Sequence, residues 1–116
     1  MALKLYGIKN CDTVRKARKW LEANQVEHEF HDFREQGLDK NTIIQWCDKL
    51  GWETVFNKRS TSFRSLNEAE KTDLTESKAI DLMLTHPTLI KRPVLDDGQH
   101  CLVGFKEAQY QAWSQK

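Results

Sequence analysis

The sequence has no long apolar run and no excess of charge of either sign. None of its hydrophobic stretches approaches the roughly 20 residues that a membrane-spanning helix needs. Lysine and arginine number 18 against 17 acidic residues, and a formal net charge of +1 gives no strong field for nucleic acid. The first residues lack the apolar stretch and cleavage site of a secretory signal. We therefore expect a cytoplasmic protein that has no membrane partner and binds no nucleic acid directly.

Cysteine is also scarce. Three cysteines are an odd number, and without a secretory signal they predict reduced thiols rather than a disulfide framework. Position 14 is valine, so Cys11 is not part of a Cys-x-x-Cys pair. His28 and His31 fall on opposite faces of a predicted strand, and no cysteine–histidine spacing of the zinc type occurs. We expect no metal site.

What is present is enough for one domain: 116 residues, of which 39% are hydrophobic. Residues 3–6 predict a first strand. Val14, Ala17 and Leu21 then fall on one face of a predicted helix. Residues 26–33 alternate in polarity and predict a second strand.

The middle of the chain has helical patterns and no convincing strand. Cys47 lies on the apolar face of one predicted helix, and residues 52–65 are expected to be irregular. Asn67 with Glu70 fits a capping box. This stretch predicts a helical insert over residues 36–87.

Strand patterns return at residues 93–95 and 101–103. Asp97-Gly98 between them is a strong hairpin signal. A last helix follows, with an expected inward stripe of Phe105, Ala108, Ala112 and Trp113.

The predicted order is β-α-β, a helical insert, and β-β-α. It indicates the α/β class and a thioredoxin-like fold with a mixed four-stranded sheet. We expect a single domain over residues 1–116, with a core formed by residues 1–35 and 88–116 and an insert at 36–87.

Cys11 is the thiol whose setting favours reactivity. It precedes the first turn of a predicted helix, where free N–H groups and the positive end of the helix dipole favour a thiolate. Arg15 adds positive charge nearby, although Asp12 opposes it. On position alone, an inert cysteine is an equal alternative. Cys47 and Cys101 lie in apolar patterns and are expected to be structural.

Three segments together resemble the ArsC/Spx family, in particular its YffB-like branch: LYGIKNCDTVRKARKWLE, LMLTHPTLIKRPVL and LVGFKEA. The similarity runs from about residue 3 to residue 113. It implies a thioredoxin fold with a helical insert, in agreement with the order of elements above. It also implies that Cys11 is the nucleophile and that Thr13, Val14 and Arg15 surround its sulfur.

The resemblance assigns three further positions. Pro93 matches a cis-proline that faces the nucleophile, and Arg92 matches an arginine that binds an oxyanion. A middle arginine is expected near residues 57–59, where Arg59 is our choice and Lys58 the alternative.

The sequence also departs from the arsenate reductases it resembles. They carry a histidine four residues before the nucleophile and an arginine late in the chain, where this sequence has Gly7 and Gly104. Regulators of the Spx type carry a Cys-x-x-Cys switch, which Val14 excludes here.

Two functions follow from the resemblance. The first is a monothiol, glutathione-dependent thiol or oxyanion reductase that is poor on arsenate and has no bound cofactor. Glutathione would be the co-substrate, and Arg15, Arg59 and Arg92 could hold its carboxylates. The second is a non-enzymatic, Spx-like regulator that binds RNA polymerase. We favour the enzyme.

Overall fold

The computed structural model describes residues 3–114, which form four strands, eight helices and one 3-10 turn. The elements follow one another as β1 (Lys4–Gly7), α1 (Asp12–Ala23), β2 (Glu29–Asp32), α2 (Phe33–Gln36), α3 (Lys40–Leu50), α4 (Trp52–Val55), α5 (Thr61–Arg64), α6 (Glu68–Lys71), α7 (Glu76–Thr85), the 3-10 turn (Pro87–Leu89), β3 (Val94–Asp96), β4 (Cys101–Val103) and α8 (Glu107–Ser114). Within these residues no helix is both long enough and apolar enough to cross a bilayer.

The strands form one mixed sheet in the order β2-β1-β3-β4. The strand β1 pairs parallel to β2, with Leu5 opposite Phe30, and antiparallel to β3, with Leu5 opposite Leu95. The strands β3 and β4 form the antiparallel hairpin that Asp97-Gly98 predicts. The mixed four-stranded sheet confirms the predicted fold class.

The chain divides into two compact units. The first contains the described residues up to Gln36 and from Arg92 onward, and therefore the whole sheet with α1, α2 and α8. One buried cluster of its core contains Leu5, Ala17, Leu21, Leu95 and Tyr110. The predicted apolar face of α1 is confirmed, because Val14, Ala17 and Leu21 are all fully buried.

The expected stripe of the last helix is wrong in part. The helix begins at Glu107, so Phe105 lies in the preceding loop, and both Ala108 and Ala112 are exposed. Tyr110 is the fully buried residue of α8, and its ring makes edge contacts with Phe105 and with Trp20 of α1. Aromatic packing therefore sets the rotation of this helix.

The second unit covers Gly37–Lys91 and is mainly helical. The capping box of Asn67 and Glu70 is confirmed at the start of α6. Residues 52–65, expected to be irregular, contain the one-turn helices α4 and α5, and Ser60 caps α5 by accepting from the Phe63 N–H. An isolated antiparallel bridge joins Phe56 to Ile90.

Candidate active site

Cys11 lies at the junction between the sheet and α1. It is the N-cap residue of this 12-residue helix and has extended backbone angles. Its carbonyl accepts the first helical hydrogen bond, from the Arg15 N–H at 2.9 Å. Within residues 3–114, the Cys11 side chain makes no capping hydrogen bond. The amides of Asp12, Thr13 and Val14 therefore have no partner within the helix and are oriented toward a group at its N-terminus.

The thiol of Cys11 differs from the other two in exposure. Cys11 is half-buried, whereas Cys47 and Cys101 are buried, and none of the three forms a disulfide bond. Burial, together with the nearby carboxylates of Glu76 and Asp48, raises the pKa of Cys47 to about 11. A thiolate is the reactive form of cysteine. Cys47 is therefore protonated near neutral pH, and Cys11 is the thiol that a substrate can reach.

Arg15 lies one turn into α1, near Cys11 in sequence. Its guanidinium pairs with Asp12 and is 3.5 Å from the Lys9 carbonyl oxygen. The Arg15 side chain is 54% exposed and that of Asp12 is 84% exposed, so the pair is strongly solvated and readily exchanged for another anion. Lys9 itself forms an ion pair with Glu35 at 2.7 Å. The positive charge expected around the thiol is thus partly neutralised by two local carboxylates.

Val14 has a packing role that explains one departure from the arsenate reductases. It is fully buried, and it faces the backbone of Gly7 at the end of β1. A Cβ atom at position 7 would be 2.7 Å from Cγ2 of Val14, a separation that real Cβ contacts essentially never reach. A side chain at position 7 would therefore force Val14 or the backbone to shift, so glycine is favoured there while valine occupies position 14.

Arg92 and Pro93 precede β3 in the same unit. The peptide bond between them is cis, which confirms the prediction made from the resemblance. Pro93 is buried, and its carbonyl accepts a hydrogen bond from the Gly104 N–H at 2.9 Å. Gly104 has a φ of +75°, a conformation that side chains rarely adopt. An arginine at this position would be strained.

Arg59 belongs to the second unit, in the loop between α4 and α5. Arg59 and Lys58 are both exposed and line a cleft of about 620 Å³. Lys91 lines the same cleft. No local sequence pattern predicts Lys91 at this cleft, because the bridge between Phe56 and Ile90 that brings it there joins distant segments.

Among the predicted site residues, the structure therefore groups six in the first unit: Cys11, Thr13, Val14, Arg15, Arg92 and Pro93. The seventh, Arg59, lies in the second unit. Within residues 3–114, no group of three or more His, Cys, Asp or Glu side chains could hold a metal ion.

Comparison with known proteins identifies the class. The chain matches the ArsC family over residues 6–113. It is 46% identical over 110 residues to an uncharacterised protein of Haemophilus influenzae, covering 95% of this chain and 96% of the relative. The protein belongs to the ArsC family, and its fold is the thioredoxin-like fold of that family.

Relatives with more specific names include arsenate reductase-related proteins and transcriptional regulators. A solved structure named YFFB superposes with a TM-score of 0.93 at 51% identity, covering 96% of this chain and 97% of that one. An arsenate reductase-related protein of Brucella melitensis superposes with a TM-score of 0.77 at 41% identity, covering 100% of this chain and 97% of that one. The global transcriptional regulator Spx 1 of Lactococcus lactis is 30% identical over 96% of this chain and 88% of its own length.

Proposed function

We propose that this protein is a monothiol, glutathione-dependent thiol reductase with Cys11 as its nucleophile. The observation that carries the proposal is the contrast among the three thiols. Cys11 is half-buried at the N-terminus of α1, while Cys47 and Cys101 are buried. A helix N-terminus stabilises a thiolate and presents N–H groups to incoming anionic atoms.

The chemistry needs no second protein thiol. The Cys11 thiolate attacks the glutathione sulfur of a mixed disulfide R–S–S–glutathione. A bond forms between Cys11 and glutathione, the original S–S bond breaks, and R–S⁻ leaves and takes a proton from solvent. A second glutathione thiolate then attacks the glutathione sulfur on Cys11. This step releases oxidised glutathione and restores the Cys11 thiolate.

Arg15 and Arg92 support this assignment as groups for the glutathione carboxylates. Arginine suits carboxylates because its N–H donors match two oxygens at once. Arg15 is exposed, and its present partner Asp12 is a solvated carboxylate that a substrate carboxylate can replace.

Arsenate should be a poor substrate. Gly7 supplies no imidazole and Gly104 no guanidinium, and the packing of Val14 and the backbone of residue 104 favour glycine at these positions. Each missing charge-assisted hydrogen bond costs about 1.5–3 kcal/mol. Two missing bonds would slow the reaction by roughly two to four powers of ten if their effects added.

The test compares glutathione–disulfide exchange and arsenate reduction in parallel. Wild type and Cys47→Ala should each take up one glutathione at Cys11 from oxidised glutathione, as seen by mass spectrometry, and Cys11→Ser should take up none. Attachment at Cys47 or Cys101, or no attachment at all, would contradict the proposal. Efficient Cys11-dependent arsenate turnover would instead assign the protein to the arsenate reductases.

A second candidate function is supported by the likeness to Spx 1, which extends over nearly the whole chain. On this alternative the protein is a regulator that binds RNA polymerase and does not turn over thiols. Retention of purified polymerase by immobilised protein, equally by wild type and Cys11→Ser, would favour it. Thiol turnover without such retention would remove it.

A further inference from the structure

We propose that the second unit carries a binding site for a dianionic phosphate group, in the cleft lined by Lys58, Arg59 and Lys91. Its volume of about 620 Å³ lies in the range of small-molecule sites. Its lining comes from two segments of the second unit, one ending at Arg59 and the other at Lys91. Cys11 has no part in it, so the inference goes beyond the thiol chemistry proposed above.

The fold brings the cations together by backbone pairing between distant segments. The bridge between Phe56 and Ile90 is flanked by two hydrogen bonds of 2.8 Å. One runs from the Asn57 N–H to the Leu89 carbonyl, and the other from the Lys91 N–H to the Val55 carbonyl. Phe56, Val55, Leu89 and Ile90 are all buried. These buried contacts hold the backbone of Lys91 opposite Val55, so the segment that ends at Lys91 runs antiparallel to the segment that continues into Lys58 and Arg59.

The loop that carries Lys58 and Arg59 is also held in place. The Asn57 side chain accepts a hydrogen bond from the Arg59 N–H at 3.0 Å. The Asn57 carbonyl accepts one from the Ser60 hydroxyl at 2.9 Å. Ser60 is itself buried and caps α5. Because the backbone is already ordered, ligand binding costs only the conformational entropy of the side chains.

The charge of the cleft is unbalanced. Three cations face it against the single carboxylate of Glu53. Within residues 3–114, neither Arg59 nor Lys91 forms an ion pair, and both are exposed. The Lys58 ammonium lies 5.8 Å from the centre of the Trp52 ring, which orients it without neutralising it.

This set of donors suits phosphate better than a single carboxylate. A phosphate group carries close to two negative charges and three acceptor oxygens near neutral pH. Arginine can pair with two of these oxygens, and the lysines act as point charges toward the rest. The phosphate can be free in solution or part of a small ester, whose organic part would then contact Thr54 and Phe56 in the same cleft.

The experiment is a two-dimensional NMR titration of the full chain with inorganic phosphate and, separately, with ribose 5-phosphate. Sodium chloride keeps the ionic strength constant. The variants are Lys58→Gln, Lys91→Gln and Arg59→Lys, the last of which keeps the charge but loses the paired N–H donors. Lys106→Gln removes an exposed lysine of the first unit and is the matched control. Cys11→Ser separates this site from the thiol.

We expect saturable shifts of the amides of residues 53–59 and 90–91, with each cleft variant binding about tenfold more weakly. Lys106→Gln and Cys11→Ser should bind as wild type does. Tighter binding of the ester would identify an ester as the ligand, and equal binding would identify phosphate alone. Shifts that do not saturate, that change equally in Lys106→Gln, or that centre on residues 11–15 would overturn the proposal. Failure here with intact glutathione exchange at Cys11 would refute this site alone.

Discussion

Substitution of Asp97 by asparagine should lower the stability of the protein by an amount that depends on pH. Asp97 lies in the turn of the β3–β4 hairpin, and its side chain is only 17% exposed. Burial alone would raise its pKa. Hydrogen bonds from the His100 N–H at 2.6 Å, the Trp113 indole at 2.9 Å and the Gln99 N–H at 2.8 Å outweigh burial and lower the pKa to about 2.

The magnitude follows from this shift. The usual value for Asp97 is 3.8, and each pKa unit corresponds to 1.36 kcal/mol. The ionised carboxylate therefore contributes about 2 kcal/mol to the free energy of unfolding. Because the folded-state pKa is the lower one, this contribution is complete above the unfolded pKa near 4. It is lost as the pH falls from there through about 2.

Urea denaturation followed by circular dichroism at a series of pH values from 6 to 2 measures this contribution. Asp97→Asn should be about 2 kcal/mol less stable than wild type at pH 6, because an asparagine amide accepts through one oxygen only. The difference should shrink toward pH 2. Asp48→Asn, on the exposed side of α3, is the control and should change little. A difference that is absent at pH 6, or that stays constant to pH 2, would refute the reasoning.

Three further predictions concern Cys11 and its surroundings. Gly7→Ala should lower the free energy of unfolding by about 1–3 kcal/mol through overpacking, and adding Val14→Ala should restore part of it, both measured by urea denaturation. Site-resolved alkylation near pH 7 should label Cys11 well before Cys47. Cys47 should become reactive only near pH 11 or when the protein unfolds. Faster labelling of Cys47 in the folded protein would contradict this prediction. Asp12→Asn should speed the reaction of Cys11 with an anionic disulfide more than its reaction with a cationic disulfide, and the two accelerations should differ by a few-fold at low salt in stopped-flow assays. Equal changes with both reagents would show that Asp12 acts on the helix alone.

Local patterns predicted most of the secondary structure and the place of Cys11, the nucleophile that we propose, at the start of a helix. The face of α1 follows from the spacing of Val14, Ala17 and Leu21, and the hairpin follows from Asp97-Gly98, because in both the cause lies within a few residues. The position of Cys11 at the start of α1 was predictable for the same reason. The resemblance, rather than any pattern, supplied the cis bond before Pro93.

The parts that could not be predicted depend on contacts between distant residues. Tyr110 is buried because rings from a loop and from α1 pack on it, and no periodicity within α8 shows this. The cation cleft depends on a bridge between Phe56 and Ile90, which have no shared motif. The pairing of Asp97 with the Trp113 indole likewise joins a turn to a helix that follows it. Each of these contacts appears only when the chain is folded.

The two glycines at arsenate-reductase positions show how the fold constrains the chemistry of this site. Glycine is favoured at position 7 because Val14 fills the space that a side chain would need. Val14 also occupies the position where a second thiol of a Cys-x-x-Cys pair would stand. Gly104 has a left-handed backbone whose N–H bonds to the carbonyl of Pro93, next to the cis bond. A single substitution that adds a histidine at position 7 or an arginine at position 104 would thus disturb the packing of α1 or the loop beside the cis bond. The local packing thus disfavours the side chains with which the arsenate reductases bind oxyanions, and it leaves Cys11 as a half-buried thiol at a helix N-terminus, the site for which we propose exchange with glutathione.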